Sequence, residues 1–304
     1  MATALHIPVL LEETLDVLKV VAGGRYVDGT LGRAGHAQAI ARRGGQVLGI
    51  DRDDQALAEV AALSLDGISA VKGEHGRLEQ LAREFGWADA DGVLLDLGVS
   101  SPQLDEAERG FSFMREGPLD MRMDRMRALT AADLVNGEPA ERLAEIFREG
   151  GEEPQARRIA CAIVAAREKG RRFSTTKELA DFVENLVGRR GAHHPATRIF
   201  QALRMEVNDE MGELHRALEG ALRLLKPGGR LAVITFESLT DRVVKRFFAA
   251  HAGREVSLQQ GGSRWEGELP RVRLAARKAI TASQEELAMN PRSRSAKLRA
   301  VEKE

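Results

Sequence analysis

Three acidic residues in the first hundred positions each close a short apolar run: Asp28 after Arg25-Tyr26-Val27, Asp51 after Gln46-Val47-Leu48-Gly49-Ile50, and Asp96 after Gly92-Val93-Leu94-Leu95. The first is followed by a glycine-punctuated turn, Asp28-Gly29-Thr30-Leu31-Gly32-Arg33-Ala34-Gly35-His36. Glycines let the chain turn sharply and bring backbone close to a ligand. The spacing G-x-x-G-x-x-G differs from the dinucleotide fingerprint, so the turn alone does not name the ligand. Asp51, 23 residues beyond Asp28, is placed to accept hydrogen bonds from ribose hydroxyls, which suits NAD and S-adenosylmethionine equally. Asp96 separates them: a carboxylate at the carboxyl edge of an open sheet suits a cationic sulfonium better than a phosphate.

The elements that must position these acids follow from periodicity. Strands are expected at 25–28, 46–51, 68–71 and 92–97, with helices near 36–43, 55–63 and 77–85 between them. Near-continuous apolar strands alternating with helices predict a doubly wound parallel sheet, an α/β fold. From Pro102 to about Arg204 the strand pattern stops, and helices are expected at 140–149, 156–169, 176–187 and 196–207. A helix at 211–225, stopped by Lys226-Pro227-Gly228-Gly229, and a buried strand at 230–236 resume the sheet. The layout resembles class I, Rossmann-like methyltransferases. One domain at 1–105 and 206–304 is thus expected to be interrupted by an all-helical insert at 106–205. The last dozen residues, rich in charge, read as a loose tail.

Composition fits a globular protein: 304 residues, 43% hydrophobic and 30% charged. No apolar run approaches the roughly 18 residues that span a bilayer, and Met1–His6 lacks the basic start and apolar core of a signal peptide. A single cysteine, Cys161, excludes an internal disulfide. A cytoplasmic protein is expected. The net charge of −1 hides polarity, because Arg157–Arg204 carries 11 basic and 4 acidic residues, a net +7. Such a stretch is either a docking face for phosphate or a solvated helical surface.

A family resemblance rests on long runs. Beside the turn at 28–36, these are Gly49-Ile50-Asp51-Arg52-Asp53, Leu94 to Asp105, Glu108 to Arg115 and Gly117 to Asp124. His194-Pro195-Ala196-Thr197-Arg198, Arg204 to Glu210 and Asn290 to Ser295 extend the match over nearly the whole chain. These runs resemble the MraW or RsmH family of ribosomal RNA small-subunit methyltransferases, which methylate N4 of a cytosine. The resemblance implies S-adenosylmethionine as cofactor and a cytidine of the decoding region as target. It implies small-subunit ribosomal RNA, within an assembled or assembling subunit, as partner.

Carried over by position, it also implies cofactor contacts from Ala34, Gly35, His36, Asp51, His75, Asp96 and Gln103. Three departures stand out. Ala34 takes a position where glycine is common, which a negative φ would make tolerable. His75 stands in what looks like a phenylalanine position, where stacking on adenine would become pH-sensitive. Glu237 and Thr240 replace the usual histidine and glutamate, putting any role of that histidine in doubt.

Asp96, or the Ser100-Ser101-Pro102-Gln103 loop, is the candidate proton acceptor for N4; the alternative is that Asp96 only orients the cofactor. Methylation at C5 would need a cysteine adding to C6, and Cys161, mid-helix in an apolar run, reads instead as a small buried side chain. Arg109, Arg122, Arg198, Arg204 and Asn208 are candidate substrate contacts, as is Arg115, although ion pairs on helix surfaces would look the same. Phe111, Phe113, Met114, Met121, Met123 and Met126 either line a base pocket or pack between domains. His193-His194 has no carboxylate or cysteine at ligand spacing, so no metal is expected. A non-catalytic RNA- or ribosome-binding protein on the same fold is the competing class, but it would need neither the glycine turn nor Asp51 and Asp96.

Overall fold

A computed structural model describes residues 8–189, 194–257, 263–266 and 271–304. Met1–His6 and His193 lie outside the described residues. The chain divides into two compact units, one of residues 1–98 and 212–304 and one of residues 99–211. These boundaries fall a short way outside the 106–205 expected for the insert.

The first unit opens with α1 (Leu11–Leu18), β1 (Arg25–Asp28), α2 (Gly35–Arg42), β2 (Gln46–Asp51), α3 (Asp54–Ala62), β3 (Ile68–Lys72), α4 (Leu78–Glu84) and β4 (Ala90–Asp96). The second unit holds α5 (Ser101–Asp105), α6 (Ala131–Gly137), α7 (Ala140–Glu149), α8 (Ala156–Glu168), α9 (Thr176–Val187) and α10 (Thr197–Val207). The chain then runs through α11 (Glu210–Leu224), β5 (Leu225–Thr235), α12 (Ser238–Ala252), β6 (Arg254–Ser257), β7 (Ser263–Glu266), β8 (Val272–Leu274), α13 (Gln284–Met289) and β9 (Lys297–Lys303).

The main sheet has the order β3-β2-β1-β4-β5-β9-β8. Strands β1 to β5 are parallel, and β9 enters antiparallel between β5 and β8. The order reverses between β1 and β4, which makes their carboxyl ends the switch point where open α/β sheets bind ligands. This is the doubly wound, parallel α/β sheet expected from the sequence. Apolar β-branched and leucine side chains bury its strands, with Val27, Leu48, Ile50, Val93 and Leu95 inaccessible to solvent.

Two expectations fail here. The Lys226–Gly229 turn is absorbed into β5 as an irregularity, its pairing with β4 jumping from Ala90↔Leu225 to Gly92↔Arg230. The charged C-terminus is a strand within the sheet. Leu298, Ala300 and Val301 are buried, Arg299 bonds Asp241 at 2.6 Å, and Glu302 accepts from Arg230 at 2.6 Å.

The second unit packs a core of its own around Leu143, Phe147, Ile159, Ile163, Phe173, Leu179, Ile199 and Leu203. Helices α6 and α9 are fixed at their N-termini by reciprocal capping boxes, Thr130 with Asp133 and Thr175 with Glu178. Cys161 is exposed, which corrects the expected burial. The inward face of α8 is Ala156, Ile159, Ala160 and Ile163, and a residue one step past Ala160 has turned about 100° away.

Candidate active site

At the switch point, Asp28 and Asp96 end adjacent strands. Between them sits Thr30. Its backbone N–H and hydroxyl donate to Asp28 Oδ1 at 3.1 and 3.4 Å, and its hydroxyl oxygen accepts the Asp96 backbone N–H at 2.6 Å. Thr30 was not among the expected site residues. Its signal was the Asp-x-Thr spacing of a short side-chain turn.

Burial pushes the Asp28 carboxyl up to about 7, and the nearby charge of Asp51 adds to the rise. Burial likewise pushes Asp96 up to about 7, with the charge of Asp28 second. Asp96 Oδ1 is sealed from solvent without a hydrogen-bond partner, although a quarter of its side chain remains exposed. Among the described residues, neither Asp28 nor Asp96 is ion-paired with lysine or arginine.

Asp51 closes β2 and accepts two backbone N–H groups, from Gly32 at 2.8 Å and Asp53 at 2.9 Å. Burial raises its pKa as well. Each of its oxygens keeps a second lone pair for a hydroxyl donor. His36, buried on the first turn of α2, lies with Nε2 3.0 Å from the Val9 carbonyl and Nδ1 3.7 Å from Asp96 Oδ2. His75 is buried in a short 3₁₀ turn after β3, close enough that a Cβ on Gly29 would stand 3.3 Å from its own.

Ala34 overturns an expectation. It is fully buried at the N-cap of α2 with φ +59°, in the left-handed region. A left-handed alanine is disfavoured by roughly 1–2 kcal/mol. The conformation persists because the Ala34 N–H is tied to Leu31 at 2.7 Å and Leu31 itself is packed in the core. The adjoining Gly35 is required sterically, since a Cβ there would meet Pro8 Cγ at 2.4 Å.

The remaining candidates belong to the second unit. Gln103 is buried on α5, its Oε1 accepting the Ser100 N–H at 3.0 Å; Ser101 and Pro102 are part of that short helix rather than of a loop. Arg109 is buried and donates to the Arg122 and Met123 carbonyls. Asn208 is fully buried, accepting the Met123 N–H at 2.8 Å and donating to the Met121 and Arg204 carbonyls. Arg122 grips Asp120 with two bonds of 2.8 Å, and Arg204 grips Glu210 at 2.7 and 2.9 Å. These side chains brace the segment 120–127 and the end of α10. Arg198 is exposed and donates to the Glu152 carbonyl. Phe111, Met121 and Met123 are core residues, Phe113 packs against Phe200 and His194, and Met114 and Met126 are exposed.

Two buried, raised carboxyls at a ligand-binding edge, neither ion-paired with lysine or arginine among the described residues, offer negative charge to a small cation. A profile of the MraW methylase family matches residues 3–304. The chain belongs to the MraW methylase family. Over 307 residues it is 48% identical to the ribosomal RNA small subunit methyltransferase H of Symbiobacterium thermophilum, covering 98% of this chain and 96% of that protein. Over 308 residues it is 49% identical to the protein of the same name from Caulobacter vibrioides, covering 99% and 96%. A solved rRNA methylase from Streptococcus thermophilus aligns with a TM-score of 0.43 at 12% identity, covering 99% of each chain.

The cofactor of the MraW methylase family is S-adenosylmethionine, and the residues present fit it. Asp51 offers acceptors for ribose hydroxyls, the Ala34–Gly35 turn offers close backbone, and Asp28 and Asp96 offer negative charge for the sulfonium and ammonium groups. Among the described residues, no helix is long and apolar enough to cross a membrane.

Proposed function

We propose that the protein transfers a methyl group from S-adenosylmethionine to the exocyclic N4 of a cytidine in small-subunit ribosomal RNA, within an assembled or assembling subunit in the cytoplasm. The observation that carries this reading is the 48–49% identity, along nearly the full chain, to relatives named ribosomal RNA small subunit methyltransferase H.

When bound, S-adenosylmethionine supplies an electrophilic methyl on a cationic sulfur. The protein's task is then alignment and charge placement. The N4 lone pair is delocalised into the cytosine ring, so attack needs an acceptor that takes an N4 proton as the new bond forms. Asp96 is our acceptor. Its partnerless Oδ1 and raised pKa support a carboxylate that gains from receiving a proton. Thr30 holds the Asp96 backbone, and Asp51 and the 34–36 turn hold the nucleoside end of the cofactor. His75 is a further expected cofactor contact.

The second unit is our RNA-docking unit. Arg157, Arg172 and Arg198 are exposed on it, whereas Arg109, Arg122, Arg204 and Asn208 shape the surface from beneath. Small subunits from cells lacking the enzyme, incubated with labelled S-adenosylmethionine and the purified protein, test this. We expect label in the small-subunit RNA, lost with Asp51→Ala. Label confined to protein, or none while cofactor binds, would refute the substrate.

A further inference from the structure

A strap formed by residues 8–10 packs against the glycine turn where it enters α2. Pro8 lies so close to Gly35 that a Cβ on that glycine would stand 2.4 Å from Pro8 Cγ. Val9 sets its carbonyl 3.0 Å from His36 Nε2. The side chains of Val9 and Leu10 are buried in the same core cluster as Leu31, Ala34, Ala37 and Ile40. The strap therefore touches the turn through a ring, a carbonyl and two apolar side chains.

Its backbone holds a form that leucine disfavours. Leu10, the N-cap of α1, has φ +53° and ψ 42°, in the left-handed region. It is fully buried, so its N–H needs an acceptor within the protein. That acceptor comes from the far end of the chain: the Leu10 N–H donates to Glu286 Oε1 at 2.8 Å. Glu286 is itself fixed in the first turn of α13, where its own N–H donates to the hydroxyl of the N-cap Ser283 at 3.1 Å. One carboxylate thus holds the strap in its left-handed form.

We propose that Glu286 is a positioning residue for S-adenosylmethionine: by holding the Leu10 N–H it keeps Pro8 and Val9 seated against Gly35 and His36, and so keeps the turn in the form that the cofactor needs. Glu286 acts through Leu10 and has no assigned contact with the cofactor. Without its carboxylate, a buried N–H loses its acceptor and nothing offsets the strain at Leu10. Leu10 then relaxes toward the extended region, which rotates the Val9–Leu10 peptide and draws the Val9 carbonyl and the Pro8 ring off the turn. The turn loses part of the packing around its own left-handed residue, Ala34. The inference rests on S-adenosylmethionine as the cofactor and is independent of which RNA atom receives the methyl group.

Two measurements test this. In the wild-type protein, NMR follows amide hydrogen exchange at Leu10 with and without saturating S-adenosylhomocysteine. Coupling is reciprocal, so a ligand that needs the seated strap must itself favour it. We expect exchange at Leu10 to slow by about tenfold more than at Val301, a buried amide of β9. An unchanged rate, or equal slowing at both amides as from global stabilisation, overturns the proposal. Calorimetric titration then compares S-adenosylhomocysteine binding by Glu286→Ala and Glu286→Gln, at a temperature where circular dichroism shows both folded. We expect alanine to weaken binding by about tenfold, and glutamine, which keeps an oxygen acceptor, to stay within about threefold of wild type. Equal losses in the two variants overturn the proposal, because they do not follow the acceptor. If the wild type binds neither S-adenosylmethionine nor S-adenosylhomocysteine, the cofactor reading falls together with this one. If the wild type binds and Glu286→Ala binds equally well, only the role of Glu286 falls. Should Glu286→Ala fail to fold, the exchange measurement, made on the wild type, decides.

Discussion

Thr30 accepts the backbone N–H of Asp96 through its hydroxyl at 2.6 Å, and the same hydroxyl donates to Asp28. One side chain thereby ties the Asp28 carboxylate to the backbone of Asp96 on the neighbouring parallel strand. Thr30→Val keeps the shape and removes both bonds, leaving a strand-end N–H unmet. We expect a loss of stability of about 1 kcal/mol, because Thr30 is only partly buried. Cofactor affinity should fall by several-fold. Chemical denaturation and calorimetric titration check the two, and an unchanged affinity would mean that the loop holds its form without the hydroxyl.

The raised carboxyls make ligand charge visible in pH dependence. In the free protein Asp28 and Asp96 ionise only near 7. A sulfonium favours their ionised forms, so binding S-adenosylmethionine releases protons below that pH. Its affinity should therefore climb as pH rises from 6 and level off above about 7.5, by up to about tenfold per unit for each group still protonated. S-adenosylhomocysteine lacks the sulfur charge and should show a flatter curve. Parallel curves for the two ligands would remove the carboxylates from the neighbourhood of the sulfur.

The parallel sheet and its acids were legible because β1, β2 and β4 are short, mostly apolar runs each ended by aspartate. The C-terminal strand was not. Lys297-Leu298-Arg299-Ala300-Val301-Glu302-Lys303 is mostly charged, and its charges are satisfied by Asp241, Arg230 and Arg273, far away in sequence. The left-handed Ala34 was equally hidden, since backbone strain at one residue is decided by the packing around it. Within the second unit, the ion-pair reading of Arg122 and Arg204 was open from sequence. Asp120 and Glu210 lie two and six residues away, so only coordinates decide whether they meet.

Cys161 offers a clean chemical test. It is exposed on α8, and methylation of N4 has no use for a thiolate. Cys161→Ser should leave stability within about 0.5 kcal/mol and methyl transfer at wild-type rate. Loss of turnover in a folded variant would revive addition to C6 and hence a C5 product.

Docking through the second unit predicts a salt signature. Arg157 and Arg172 are exposed, whereas Arg171 stacks over Phe173 and Phe182 and should be left intact. Arg157→Glu with Arg172→Glu should weaken RNA binding and lower the slope of log affinity against log salt by about one per lost phosphate contact. Unaltered affinity and slope would move the docking face elsewhere.

The most direct test is the identity of the methylated nucleoside. Small subunits labelled by this protein and S-adenosylmethionine would be digested, and the labelled nucleoside identified by chromatography and mass spectrometry. N4-methylated cytidine is the expected product, absent when Asp96→Asn replaces the wild type. A C5-methylated cytidine, or label on any other base, would contradict the assignment of N4 as the target and of Asp96 as its proton acceptor.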